Sequence, residues 1–327
     1  MEFAFSEEQQ ELAATVRSLL TKRADPAAVR AAMVSESGYD EDLWRTLCEQ
    51  IGVAALGIPE KYDGAGFTLF ESLVALEEIG RSLAPSPLLA SLVAAEALLA
   101  GGDDDAKQRL LPRIAAGEVA TLSLDDGPTL FADQATVLLA VRGDDLLELD
   151  PSSSDPRWLP SMDQTNRFGS LDAAQGTPVG NGAAARARAE LVGAVGVAAL
   201  QAGCAARALE MTVGYSKERV QFGRPIGSFQ ALKHRMADLL VLVEMCRSAS
   251  WAASYAVSVG ADHAEQLAHV AKSYCSDALD KIAAETVQLH GGIAITWEHD
   301  AQLVFKRAHA LSQQFGQAHR HRALIDL

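Results

Sequence analysis

Arg219-Val220-Gln221-Phe222-Gly223-Arg224-Pro225-Ile226-Gly227-Ser228-Phe229-Gln230 interrupts a chain that reads as long helix on both sides. Upstream, residues 184–216 are rich in alanine and carry apolar side chains at helical spacing. Downstream, helices are expected over about residues 229–259, 261–290 and 297–314. Pro225 lacks an amide donor, while Gly223 and Gly227 permit tight turns, so the quoted stretch is a loop. Ala252, Ala253, Ala256, Ala268 and Ala271 let neighbouring axes approach closely. Residues 183–327 are therefore expected to form a four-helix bundle.

Towards the N-terminus the pattern is helical again. Ser6 with Gln9 three residues on has the spacing of a capping box, followed by Leu12, Val16, Leu19 and Leu20 on one face. Further helices are expected over residues 42–51, 69–83, 87–100 and 104–116, with a Pro- and Gly-bearing loop at 58–66. After Gly117 the character changes. Residues 120–124, 135–141 and 146–149 are short apolar runs between Asp, Gly and Pro clusters, and these read as strands. The chain thus divides into an N-terminal helical domain (1–117), a reduced β domain (118–182) and the bundle (183–327). Its fold class is mainly α with a small β domain.

Composition narrows the functions. With 327 residues, 49% of them hydrophobic, the chain is long and apolar enough for one large core or two smaller ones. A formal net charge of −15 disfavours both nucleic acid and anionic membrane as partners. No apolar run is expected to reach the roughly 18 residues of a spanning helix, and Met1-Glu2-Phe3-Ala4 is no cationic leader. Cys48, Cys204, Cys246 and Cys275 are far apart, without a CxxC pair, which suits buried thiols in a reducing cytosol and no metal site.

Three stretches in this order resemble the acyl-CoA dehydrogenase family. The first is Phe5-Ser6-Glu7-Glu8-Gln9-Gln10, continued by Leu56-Gly57-Ile58-Pro59-Glu60-Lys61-Tyr62-Asp63-Gly64-Ala65-Gly66 and Leu76-Glu77-Glu78-Ile79-Gly80-Arg81. The second is the loop quoted above, and the third is Val287-Gln288-Leu289-His290-Gly291-Gly292-Ile293-Ala294-Ile295-Thr296. The resemblance spans nearly the whole chain. It is greatest to the shortened subunits of actinobacterial steroid-CoA dehydrogenases, which pair with a longer subunit. It implies FAD as cofactor, desaturation of an acyl-CoA, and an electron-transfer flavoprotein as electron acceptor.

Residue by residue, the resemblance implies that Arg219 grips the flavin pyrophosphate, Gln221 bonds the ADP part and Phe222 packs on the adenosine. Gln288, Gly291 and Gly292 complete that ADP site. A guanidinium suits a pyrophosphate because it donates two parallel hydrogen bonds. Without the resemblance, Arg219 reads equally as a solvated arginine capping helix carbonyls, and Gly291-Gly292 as a helix C-cap. His290 reads as a packed or capping histidine.

Two departures are as informative. The reaction needs a carboxylate to take an α-proton, and the family carries a glutamate after the last bundle helix, where this chain has Phe315. A second location used by some members corresponds to residues 191–201, which contain no acid. Glu190 and Glu298 are the nearest carboxylates, each read as a dipole-favoured glutamate at a helix start. Ser123-Leu124-Asp125-Asp126-Gly127-Pro128 stands where the family has a run that holds the flavin ring, and it matches poorly. The expectation is a subunit that contributes the ADP half of a FAD site, with a longer partner supplying ring site and base in a two-plus-two heterotetramer. Two alternatives remain open: a homomeric enzyme using Glu190 or Glu298 as base, and a flavin-free scaffold of the same fold.

Overall fold

The computed structural model describes residues 4–326. Met1-Glu2-Phe3, where no cationic leader is expected, lies outside them. The chain forms two compact units, one of Met1–Leu76 with Ala84–Gly193, the other of Glu77–Leu83 with Ala194–Leu327. Helices α4 (Leu69–Ser82) and α7 (Gly182–Glu218) contribute to both.

In the first unit the Ser6 hydroxyl accepts from the Gln9 amide at 3.2 Å, and Gln9 Oε1 accepts from the Ser6 amide at 3.0 Å. This box opens α1 (Glu7–Arg23), which buries Val16 and Leu20 and half-buries Leu12 and Leu19. A helix not expected from the pattern, α2 (Pro26–Met33), follows at once. Asp25 caps it at the Ala28 amide, and Pro26 occupies its first turn, where no donor is needed. Helix α3 (Glu41–Thr46) widens into a π-helical turn, Leu47–Ile51, and stops at Gly52 in the left-handed region (φ 77°). Helix α5 (Leu88–Gly101) is buried nearly all round, as suits an axis inside a core. Helix α6 (Asp104–Ala115) follows it.

Seven strands follow rather than three. β1 (Ala120–Ser123), β3 (Val137–Arg142), β4 (Asp145–Leu149) and β7 (Gly176–Asn181) form one sheet in the order β1-β3-β4-β7, with β1 and β3 parallel. β2 (Thr129–Leu130), β6 (Phe168–Ser170) and β5 (Arg157–Leu159) form an antiparallel second sheet. The additional strands lack the signal that reveals one. Three of them are only 2 or 3 residues long, and β7 contains Pro178 and three half-exposed or exposed positions in a row.

The second unit is helical. α8 (Gln230–Ser258), α9 (Ala264–His290), α10 (Ala301–Gln313) and α11 (Ala318–Arg322) join the C-terminal part of α7, and α9 touches α8, α10 and α11. Where α4 crosses α7 the backbones meet. A Cβ on Gly203 would lie 1.9 Å from the Glu77 carbonyl, and one on Gly80 would lie 2.3 Å from that of Leu200. Any side chain there would force the helices apart.

One expectation from composition is corrected. By length and apolarity α7 could cross a membrane, because residues 191–206 carry no charge. Its most apolar window is 83% buried inside the protein, the condition of a core helix. All four cysteines are buried, and no cluster of metal-ligating side chains occurs among the described residues.

Candidate functional site

The expected cofactor residues all belong to the second unit. The stretch after α7 is a two-residue hairpin: β8 (Val220–Gln221) pairs with β9 (Arg224–Pro225), and Phe222 (φ 52°) and Gly223 (φ 76°) are both left-handed at its tip. Such a turn matches the natural twist of a hairpin, and glycine suits it while phenylalanine does not. The Phe222 ring is nonetheless 91% exposed. Its edge contact is Phe229, at 6.1 Å between centroids, and Arg224 lies 4.0 Å over the Phe229 ring. The Val-Gln-Phe-Gly-Arg-Pro spacing could have revealed this hairpin in the sequence.

Arg219 directly follows α7. Its amide donates to the Tyr215 carbonyl at 2.9 Å, and its carbonyl accepts from the Ile226 amide at 2.8 Å, which closes the loop. Backbone anchoring at both ends leaves the side chain to project from a fixed base. Arg219 and Gln221 are exposed, and among the described residues no carboxylate pairs with the Arg219 guanidinium.

The second half of the site ends α9. Gln288 is exposed. Gly291 caps the helix at φ 66° and ψ −146°, and its amide donates to the Val287 carbonyl. A Cβ on Gly291 or Gly292 would meet nothing within 4 Å, so no group of this chain crowds the outer side of that turn.

Tyr215 brings the two halves together. Its ring stacks on His290 at 4.5 Å, and His299 lies 4.5 Å from that imidazole and meets the Tyr215 ring edge-on at 6.0 Å, so the three rings form one cluster. His290 Nδ1 donates to the Thr286 carbonyl at 2.7 Å. Burial holds its pKa below the usual histidine value, so at neutral pH the ring is uncharged and packs as an aromatic plate. His290 is thus a packed histidine, as expected, and His299 is a neighbour that no sequence pattern singles out. Deeper in the unit, Thr212 of α7 bonds Thr286 of α9 at 3.2 Å.

The residues fit a flavin adenine end. An exposed guanidinium suits a pyrophosphate, an exposed phenyl face suits an adenosine, and an open glycine turn suits close backbone approach.

The residues considered as a base fall elsewhere. Phe315 stands half-buried between α10 and α11 in the left-handed region, φ 50°. Glu190, read as a helix-start glutamate, lies eight residues beyond the start of α7 at Gly182. The dipole is felt only within the first turn, and the side chain instead stands 3.4 Å from Arg186, one turn earlier. Asn181 caps that helix, at 2.8 Å from the Ala184 amide. Glu298 does not open a helix either. It is exposed in the segment before α10, whose first residue is Ala301. In the first unit the 123–128 turn closes on itself: Ser123 Oγ donates to the Asp125 carbonyl at 2.9 Å, and Arg142 and Arg186 reach Asp126 and Asp125.

Comparison with known proteins agrees with this architecture. Residues 6–118 match the acyl-CoA dehydrogenase N-terminal domain, and residues 180–326 match the acyl-CoA dehydrogenase C-terminal domain. The acyl-CoA dehydrogenase IpdE2 of Mycolicibacterium smegmatis is 44% identical over 311 residues, covering 95% of each chain. IpdE2 of Mycobacterium tuberculosis is 47% identical over 310 residues, covering 94% of this chain and 92% of that one. Among solved structures, the Tcur3481-Tcur3483 steroid ACAD G363A variant superposes with a TM-score of 0.89 at 30% identity, over 98% of this chain and 96% of that one. The ChsE4-ChsE5 complex from Mycobacterium tuberculosis superposes at 0.87 and 25%, over 99% and 97%. The chain belongs to the acyl-CoA dehydrogenase family, a family of FAD-dependent oxidoreductases.

Proposed function

We propose that this chain is the ADP-gripping subunit of a heteromeric acyl-CoA dehydrogenase that desaturates a steroid-derived acyl-CoA. Arg219, Gln221, Phe222, Gln288, Gly291 and Gly292 hold the adenine end of the FAD. A longer partner supplies the ring site and the base, and electrons leave to an electron-transfer flavoprotein. The bound flavin supplies the hydride acceptor. What this chain contributes is charge neutralisation at Arg219, an aromatic face at Phe222 and an open backbone turn at Gly291-Gly292. The cytosolic location and the three-part division at residues 117 and 182 belong to the same reading.

The observation that carries it is Phe222. It is strained, apolar and 91% exposed at a hairpin tip beside an exposed Arg219, which suits a ligand seated largely on another chain. Phe315 in place of a carboxylate favours a base elsewhere. The steroid assignment leans on the names of two structural neighbours, one a steroid ACAD and one a two-protein complex.

The test is production with and without a longer acyl-CoA dehydrogenase subunit. Alone, the chain should carry no flavin and show no turnover. Together, the pair should be yellow and should reduce an electron-transfer flavoprotein when given a steroid acyl-CoA. Full activity of the chain alone would defeat the proposal.

A further inference from the structure

Helix α8 carries two largely apolar rows. The inner one begins with Leu239, Val243 and Cys246, continues in alternating steps of four and three residues to Val257, and is buried. Two residues on from each member stands a second row: Val241, Met245, Ser248, Ala252, Tyr255 and Val259. Two residues turn an α-helix by about 200°, so this row lies on the opposite, outward face. Val241, Met245, Tyr255 and Val259 are 48% to 62% exposed, Ser248 is exposed and Ala252 is half-buried.

A helix that faces water on one side ordinarily carries charge there. This row carries none over about 27 Å of helix. The charges that border it midway, Glu244 and Arg247, pair with each other, and the Arg247 guanidinium lies 5.2 Å from the centre of the Trp251 ring. A neighbour that covers the row therefore leaves neither of these charges unpaired. Copies of a chain with a formal net charge of −15 repel one another. A face free of charge is where two of them meet at least cost.

The order of sizes along the row reads the same from either end. β-branched Val241 and Val259 stand outermost, long Met245 and Tyr255 come next, and small Ser248 and Ala252 lie in the middle. A two-fold pair needs such an order, because residue i of one copy meets residue j of the other and j meets i. With two α8 helices antiparallel and crossing level with Ser250, Met245 meets Tyr255 of the second copy and Ser248 meets its Ala252. The small residues at the crossing let the axes approach to about 8 Å, and the longer side chains fill the space on either side. A partner of different sequence imposes no such symmetry.

We propose that two copies of this chain pair through α8, antiparallel and with Ser248 and Ala252 at the crossing, and that this seam joins two heteromeric pairs into one assembly. Six side chains from each copy fall short of the roughly 20–30 residues a side of a self-standing interface. The seam is therefore a contact within the larger complex, and in that respect it rests on the two-subunit reading above.

The test uses the complex with the longer subunit. Positions 245 and 255 stand about 15 Å apart along one helix, beyond the reach of a disulfide, so a bond between them joins two chains. Met245→Cys with Tyr255→Cys should give, under mild oxidation, a band of twice this chain's mass on a non-reducing gel. Its yield should exceed that of either single variant by about tenfold or more, because only the double variant brings two thiols within bonding distance. Wild type, with its four cysteines buried, should give none. Ser248→Trp, at an exposed position, should halve the native mass of the complex with flavin per pair unchanged, while Ser248→Ala should leave the mass intact. No cross-linked band, equal yields from the single variants, a bond to the longer subunit, or a full-mass Ser248→Trp complex would overturn the proposal. If the longer subunit does not bind this chain at all, the functional reading fails by itself, and the same cysteine pair oxidised in this chain alone still decides the seam.

Discussion

The Tyr215 ring stacks on the His290 imidazole with centroids 4.5 Å apart, and this contact fixes the two ends from which the candidate cofactor ligands project. The Arg219 amide donates to the Tyr215 carbonyl, and Gly291 follows His290 directly. Spacing between Arg219 and the glycine turn is thereby set by packed rings rather than by loops. Tyr215→Ala should lower stability by about 1–3 kcal/mol and reduce flavin retention, whereas Tyr215→Phe keeps the stack and should match wild type. Thermal melting and flavin absorbance of the complex check both.

Arg219→Ala should strip charge-assisted hydrogen bonds from the pyrophosphate, at a cost of about 2–4 kcal/mol of binding. Flavin per complex should drop while the circular dichroism spectrum stays the same. Arg219→Lys should fall between, since an ammonium keeps the charge and loses the fork. Undiminished visible absorbance in the alanine variant would remove Arg219 from the site.

Acid should act through His290. Its folded pKa is depressed by burial, with the nearby His299 adding to the effect. The unfolded chain, with an ordinary histidine, takes up the proton first as pH falls. Stability attributable to this ring is therefore complete above about 6.5 and is lost as pH falls from there towards the folded pKa. His290→Phe keeps a plate beside Tyr215 and His299 without a titrating nitrogen. The variant should lose less stability than wild type between pH 7 and pH 5, in melts compared across that window. Parallel losses in both proteins would show that His290 is not the sensor.

Much of this arrangement is legible in the amino-acid sequence, and what escapes it has physical causes. Ser6 and Gln9 announce the first helix, because a capping box is a contact between near neighbours. Arg219 and the paired glycines stand out because a loop inside helical periodicity has few explanations. Helix α2 escapes the pattern although Asp25-Pro26 marks its start, since eight residues carry little periodicity. The burial of Lys272 on α9 is invisible for a different reason. A lysine in a helix reads as solvated, and only tertiary packing brings it to carbonyls 40 and 44 residues away.

No carboxylate of this chain should prove essential as a base. Phe315→Leu leaves an apolar side chain at the turn, and Glu190→Gln and Glu298→Gln preserve size. Each should leave turnover of the complex within about tenfold of wild type, measured with saturating acyl-CoA. Glu190 is already engaged with Arg186 at 3.4 Å, and Glu298 is exposed before α10. A loss of about a thousandfold from either glutamine variant is the size of a missing general base, and it would revive the homomeric alternative.

Assembly gives the last prediction, and the exposed face of α8 carries it. Of the large apolar residues here, Leu239 and Val243 are buried and Leu242 is half-buried, but Leu240 is 49% exposed, Met245 51% and Val270 on α9 38%. Val241, beside Leu240, is 62% exposed. Large apolar side chains grouped in this way mark a surface that another chain covers. Obligate interfaces bury about 2,000 Å² or more, and at about 25 cal/mol per Å² their exposure favours aggregation. The chain made alone should therefore be poorly soluble. With the longer subunit it should form a two-plus-two heterotetramer holding one flavin per pair, by native mass and flavin counting. Val241→Asp should shift that complex towards smaller species, because a buried unpaired carboxylate is costly, while Asp262→Asn, on the turn between α8 and α9, should leave the mass unchanged. A homotetramer of this chain alone with four flavins would exclude the split of roles between two subunits.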